Sequence, residues 1–540
     1  MRDEASPQVL PGTCVARGCA GCPAALTRRQ FFATTAGATA GALLAGAGAD
    51  AGPGTSTAPH APAAAGKTRI RILYSLHADR QTVPDWPNVG FDFVPVMNRI
   101  NATLARACPD FDFLPTLATG EEQAKKVLAD DRTAAIDGYL VYQMNCWNRV
   151  VQTMATSGKP VLYADFQFAG SGGFLVYTAA FLRAAAPNVG FVASSRIEDV
   201  IAAVRCFDIT KKGGTTEQFV AATAKARLAR TPAGLREPDM DRDRVTPPPM
   251  ADCVRQLKAS TILAVRGQES GPAGESMGIR IVNVPYAEIN DAWKSADPDR
   301  SRAVADRWQT TAARIEGVSR QTLETSAAMY LGMKDVLAKH GASAITINCL
   351  GGFYGGHIHA YPCLGFYELN NEGLVGGCEC DVRSAATMVA GGILTGGRPG
   401  FISDPVIDTA KRQIIYAHCV ASNRAFGPSG PWNPFEILTH SEDRQGASVR
   451  SILPVGHMTT SIEIEPTRKE MLLHRAKAVA NDPDDRACRT KLCAEPVGDI
   501  EKLFTMWDRW GWHRVTFYGD LREPVHALAD ALGYAVVEEA

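Results

Sequence analysis

The sequence predicts an α/β protein built on parallel sheets, and three observations carry that expectation. Strand-like and helix-like runs alternate twice over, first across 67–185 and again across 186–342, the pattern that wraps helices around a parallel sheet. At 540 residues the chain exceeds what one core organises, so several domains are expected. Its composition, 46% apolar and 21% charged with a formal net charge of −1, is that of a globular chain. Such a balance gives no electrostatic reason for nucleic acid or an anionic membrane as partner.

Residues 1–66 stand apart. Arg28 and Arg29, followed by Phe31, Phe32 and a weakly apolar alanine/glycine run to Ala49, resemble a twin-arginine export signal, with a small-residue cleavage site at Ala47 and Ala49. The Pro/Ala/Gly stretch 50–66 cannot bury a core and reads as a linker. Export by that route implies a periplasmic or extracytoplasmic protein that folds, and often takes up its cofactor, before transport. No run of eighteen strongly apolar residues follows, so no membrane span is expected in the mature chain. Eleven cysteines lie beyond residue 66, an odd number without the spacing of a disulfide framework.

Within 67–185, TRIRILYSL (68–76), IDGYLVYQM (136–144) and KPVLYADF (159–166) read as strands. FVPVMNRINATLARACP (93–109) and NRVVQTMATSG (148–158), the second stopped by Gly158, read as helices. The functional edge of such a sheet is at the carboxyl ends of its strands. His77, Asn145 and Asp165 stand there, and Asn145 is assigned to substrate binding.

The charged, proline-rich stretch 210–249 reads as an irregular connection. A second α/β set follows: STILAVRG (260–267), GIRIVNVPYAEI (278–289), two helix-like stretches through 299–339 and the strand SAITINCL (343–350). No G-x-G-x-x-G follows a strand and no G-x-x-x-x-G-K-[ST] occurs, which disfavours nucleotide cofactors.

Past Ile345 the chain turns rich in glycine, cysteine and histidine, and eight of its eleven histidines fall after residue 350. The run LVGGCECDV sets Glu379 and Asp381 among apolar neighbours. Carboxylates removed from water need a cation or strong hydrogen-bond donors. On a strand, positions i and i+2 point the same way. Two such carboxylates with an imidazole suit a divalent ion, Mn²⁺ or Mg²⁺ first, Zn²⁺ or Co²⁺ next. The same residue types equally suit a pair bonded to backbone amides where the next helix begins.

Pro362-Cys363, Leu369-Asn370-Asn371-Glu372-Gly373, Cys378-Glu379-Cys380-Asp381, Gly397-Arg398-Pro399 and His418-Cys419 occur in an order that resembles the C-terminal core of the L-fucose isomerase and L-arabinose isomerase superfamily. GWHRVTFYGD (511–520) resembles the closing segment of that family. The resemblance covers about 341–540. The alternating pattern gives two Rossmann-like α/β domains, 67–185 and 186–342, and the resemblance implies a C-terminal α+β domain, 343–540, with a β-barrel-like portion. It also implies a divalent metal, most often Mn²⁺, held by Glu379, Asp381 and His513. The chemistry it implies is aldose–ketose interconversion through a cis-enediol, with a carboxylate, Glu379 or Asp381, moving the proton. His418 and Trp512 are assigned to the sugar. Family members carry a further glutamate about two dozen residues before the Cys-Glu-x-Asp; here GGFYGGHIHAY has no acid, and His357 and His359 stand in its place as base or ligand. The expected partner is a small sugar, in a homo-oligomer. The alternatives are a metal-dependent epimerase or lyase using a histidine base, and a periplasmic sugar-binding protein without chemistry.

Overall fold

A computed structural model describes residues 66–235 and 241–540; the twin-arginine expectation at Arg28 and Arg29 lies outside the described residues. β1 (Thr68–Ser75), β2 (Phe111–Ala118), β3 (Gly138–Gln143), β4 (Val161–Asp165) and β5 (Val189–Val192) form a parallel sheet in the order β2-β1-β3-β4-β5. β1, β3 and β4 are buried throughout, as expected of central strands with helices on both faces. The strand order reverses between β1 and β3, which is where open α/β sheets leave a crevice.

The stretch 210–249 departs from its expected irregularity. Thr216–Arg230 is a helix, opened by a capping box in which Thr215 and Gln218 bond each other's backbone N–H. Only Phe219, Thr223 and Arg227 are buried on it, too few apolar positions to mark a helical face in the sequence.

The second sheet has the order β11-β10-β6-β8-β7. It contains β6 (Thr261–Val265), β7 (Gly271–Ser276), β8 (Ile279–Val284), β10 (Ala344–Ile347) and β11 (Val375–Gly377), with β7 alone antiparallel. β9 (Arg314–Glu316) instead joins β14 (Phe435–Leu438) and β15 (Ser448–Ser451) in a small sheet.

The remaining strands are β12 (Phe401–Asp408), β13 (Gln413–His418), β16 (Met458–Glu465), β17 (Glu470–Asn481), β18 (Thr490–Pro496), β19 (Arg514–Tyr518) and β20 (Ala535–Glu538). Six of them run β16-β19-β12-β13-β18-β17, and pairing of β16 with β17 closes the barrel. Closure leaves the six without a free edge, and β20 adds to β17 outside. One apolar cluster joins the barrel to the second sheet through the Val382–Leu394 helix, and another joins it to the first sheet through Ser171–Arg183.

Candidate metal centre

Three side chains reach the centre from neighbouring barrel strands. Asp404 lies within β12, which pairs with β13 as Asp404↔Ala417 and with β19 as Ser403↔Arg514. Continued one step, the registers set His513 opposite Asp404 and His418 opposite Ser403, so the two imidazoles come from the chain segments on either side of β12. His418 ends β13 and His513 immediately precedes β19. Glu379 comes from outside the barrel, on the turn between β11 and the Val382–Leu394 helix. Glu379 and Cys380 both take left-handed backbone, φ 59° and 53°. For side-chain-bearing residues such geometry persists only where surrounding structure imposes it. The turn overrides the strand expected here, so Glu379 and Asp381 do not project together.

One donor atom from each of Glu379, Asp404, His418 and His513 lies within 4.8 Å of the other three. His513 Nε2 is 3.4 Å from Asp404 Oδ1 and 3.9 Å from Glu379 Oε2, and His418 Nε2 is 3.9 Å from Glu379 Oε1. All four side chains are at most 7% exposed. Burial favours the neutral ring of His513, but its hydrogen bond with Asp381 and the charges of Asp404 and Glu379 outweigh it and raise its pKa to about 9.

Asp381 holds that ring. Its Oδ2 is 2.9 Å from His513 Nδ1, and the carboxylate also accepts from the Ser384 N–H and hydroxyl as the cap of the following helix. Burial would raise its pKa; the His513 bond and the Arg383 charge outweigh burial and hold it well below the usual range. Expected in the sequence as a metal ligand, Asp381 thus sits behind His513, the place from which a carboxylate fixes the tautomer of a ligating imidazole.

Behind Asp381 the Ser384 hydroxyl also meets Glu463 Oε2 at 3.1 Å, and Arg383 reaches Glu463 and Glu465 at 3.2 Å each. Full burial lifts Glu463 to about 7 against the pull of Arg383. A folded-state pKa above the unfolded one means the native chain keeps a proton that the unfolded chain releases. This group's contribution therefore falls as pH rises from the unfolded carboxyl value through about 7. Glu463→Gln is expected to gain stability over wild type by on the order of 2 kcal/mol between pH 5 and pH 8, read from denaturant midpoints. An equal difference at both pH values would place the proton elsewhere.

The other sequence-assigned residues do not gather here. His357 and His359 are exposed and lie against Tyr286 and Trp293, with ring centroids 5.6 and 6.1 Å apart. The turn that carries them packs on the second sheet's helix, away from the barrel strands that supply the centre. Asn145 is buried, and its amide is consumed within its own lobe: it donates to Trp86 O and Gln81 Oε1 and accepts from the His77 N–H. Trp512 does border the centre, 5.5 Å from the His513 ring, and meets Trp147 from the first sheet's carboxyl edge at 5.7 Å. Asp404 was not singled out from the sequence. FISDPVID (401–408) nevertheless sets an acid in a fully buried apolar strand, the same anomaly that drew attention to Glu379.

No protein-family model matches this chain. It is 25% identical over 228 residues to a sulfoquinovose isomerase of Clostridium sp. (strain MSTE9), covering 40% of this chain and 49% of the relative. It is 22% identical over 182 residues to a sulfoquinovose isomerase of Alkalicoccus urumqiensis, covering 32% and 40%. The chain thus spans about half the length or less of the curated relatives it matches. A solved chain of the XylFII-LytSN complex aligns over 54% of this chain and 85% of its own, at 12% identity and a TM-score of 0.15, a likeness too low to bear on fold or function. The similarity to sulfoquinovose isomerases brings a sugar-isomerase superfamily alongside the buried acid–imidazole group.

Proposed function

We propose that this protein is a divalent-metal-dependent aldose–ketose isomerase whose centre is Glu379, Asp404, His418 and His513. One observation carries the metal. His513 Nδ1 is engaged by Asp381, while its buried Nε2 makes no hydrogen bond and faces Asp404 and Glu379. Without an ion the ring meets those carboxylates only by taking up a proton, as its raised pKa reflects. A divalent ion between them would take that proton's place, and two oxygens with two imidazoles suit such an ion, Mn²⁺ by the family resemblance, with Mg²⁺, Zn²⁺ and Co²⁺ as alternatives. Glu379 and Asp404 already supply two acids to this group, so neither His357 nor His359 is needed in place of the glutamate expected before Cys378-Glu379.

A divalent ion held by Glu379, Asp404, His418 and His513 would supply Lewis acidity that acidifies the C2–H of an aldose. Glu379 takes the C2 proton and delivers it to C1, while the proton of the C2 hydroxyl passes to the C1 oxygen, which leaves a carbonyl at C2 and a hydroxyl at C1. Asp381 keeps His513 oriented, and Trp512 with Trp147 shields the site from water. The similarity to sulfoquinovose isomerases supports an aldose as substrate.

The test is proton exchange. Mn²⁺-loaded protein incubated with sulfoquinovose and a panel of aldoses in D₂O is expected to place deuterium at C2 and to yield ketose. Glu379→Gln should suppress the exchange by on the order of a thousandfold. Exchange retained by Glu379→Gln would remove that residue from the reaction. Tight sugar binding without exchange would make the protein a binder.

A further inference from the structure

Cys349 and Cys378 are nucleophilic groups that the proposed reaction leaves unused. Each is at most 5% exposed, neither is in a disulfide, and their sulfurs are 3.4 Å apart. They stand past the carboxyl ends of adjacent parallel strands. Thr346 of β10 pairs with Gly377 of β11, Cys378 follows Gly377 directly, and Cys349 opens the short helix Cys349–Tyr354 beyond β10. Neighbouring strands lie about 4.8 Å apart, inside the roughly 4.4–6.8 Å that a disulfide spans between Cα atoms. The Thr346 hydroxyl donates to the Cys378 carbonyl at 3.4 Å, which ties the start of the turn to β10.

A disulfide holds its sulfurs about 2.05 Å apart, so closing this pair takes roughly 1.4 Å of movement. The packing decides where that movement falls. β11 is tightly seated: a Cβ on Gly376 would lie 2.6 Å from Phe366 Cα. The Cys349–Tyr354 helix is held as well, by the Asn348 side chain, which accepts from the Gly351 N–H at 3.2 Å, and by Ile358, which leaves no room for a Cβ on Gly352. What remains is the turn itself, where Glu379 and Cys380 already carry left-handed backbone. Glu379 follows Cys378 directly, and its carboxylate oxygens lie 3.9 Å from the Nε2 atoms of His418 and His513. A displacement of about 1 Å at such a group is enough to undo its geometry.

We propose that Cys349 and Cys378 are a site of reversible oxidation, and that the disulfide they form with hydrogen peroxide draws Glu379 out of the buried acid–imidazole group. The effect on Glu379 rests on the metal reading of that group. One sulfur attacks a peroxide oxygen and the O–O bond breaks, giving a sulfenic acid and one water. The second sulfur then attacks the sulfenic sulfur, the S–O bond breaks, and a second water leaves. The two thiols thus give up two electrons and two protons, and the peroxide takes them as two waters. Hydrogen peroxide is little larger than water, which suits it to thiols this deeply buried. The coupling is reciprocal: a bridge that weakens metal binding is itself disfavoured, by the same factor, when the metal is bound.

The experiment treats the reduced full chain with hydrogen peroxide, with and without Mn²⁺, and maps disulfides by mass spectrometry of unreduced peptides. Mn²⁺ affinity is read by calorimetry before oxidation, after it, and after return to a dithiol reductant. A bridge joining the Cys349 and Cys378 peptides is expected, slowed by Mn²⁺. Oxidation should weaken Mn²⁺ binding by about 10–100-fold, and the reductant should restore it. Cys349→Ala should bind Mn²⁺ like the reduced wild type and ignore peroxide, while Cys363→Ala, which alters another buried thiol, should still respond. The wild-type peptide map decides closure whatever the folding of either variant. A peroxide effect retained by Cys349→Ala, or a bridge that leaves Mn²⁺ affinity unmoved, would overturn the control of Glu379. The two readings fail separately: a bridge in a protein that binds no Mn²⁺ when reduced upholds the closure and removes the metal, whereas Mn²⁺ binding without a bridge does the reverse.

Discussion

Asp404→Asn is expected to leave the protein folded while abolishing tight binding of a divalent ion and lowering turnover by on the order of a thousandfold. The substitution is isosteric and the position is 4% exposed, so packing changes little. The charge of the donor set falls by one, and the oxygen 3.4 Å from His513 Nε2 is weakened as a ligand or replaced by an amide nitrogen. Asp381→Asn makes the contrast. It touches the ring from behind, through Nδ1 at 2.9 Å, and losses of this kind run to about 10–100-fold. The order of the two effects separates the arrangement in the structure from the one the sequence suggests. Metal content by mass spectrometry and kcat of both variants decide it, and a larger loss at Asp381 would return that residue to the donor set.

Arg514→Met is expected to cost about 3–5 kcal/mol of stability, mainly through a buried ion pair, though the same side chain also donates to the Gly511 and His513 carbonyls beside the centre. The Arg514 guanidinium spans Glu539 with contacts of 3.2 and 2.7 Å, and Glu539 also meets His474 Nδ1 at 2.8 Å. Arg514, Glu539 and His474 side chains are all fully buried. Burial alone would raise Glu539, but Arg514 and His474 outweigh it and hold it near about 2. Its stabilisation is therefore present above the unfolded carboxyl value and is lost as pH falls through about 2. Removing the arginine leaves a carboxylate with half its compensation. Arg514→Met combined with Glu539→Gln should recover much of the loss, since the penalty belongs to the abandoned charge. Chemical denaturation of the single and double variants measures it, and additive losses would count against the pair as the cause.

Much of the strand pattern was legible because strands buried on both faces are rich in apolar and β-branched residues, as VLYA in KPVLYADF shows, while TRIRILYSL interleaves them with Arg69 and Arg71, which pair with Asp112 and Asp131. The helix at Thr216–Arg230 was not, because alanine and threonine dominate it and Phe219 is the one large apolar side chain it buries, so its capping box is the clearer signal. At the centre, Glu379 drew attention as an acid among apolar neighbours, whereas His513 came only from the family resemblance. Asp381 was misjudged through geometry. Spacing of two means one face on a strand, and the strand ends at Gly377, before either acid. Asp404 and His418 become neighbours only through barrel register, a relation between distant segments that periodicity within a segment cannot express.

The left-handed turn at Glu379 and Cys380 bears on what that position can hold. Such backbone suits glycine, asparagine or aspartate, and other side chains cost about 1–2 kcal/mol there. An aspartate at 379 would ease the main chain and stop one methylene short of the barrel. Glutamate is the less comfortable occupant with the longer arm, so what the position demands is reach. This strand-to-helix turn must stay closed for that arm to arrive, which makes the stiffness of the few linking residues as much a part of the buried acid–imidazole group as the carboxylate they carry.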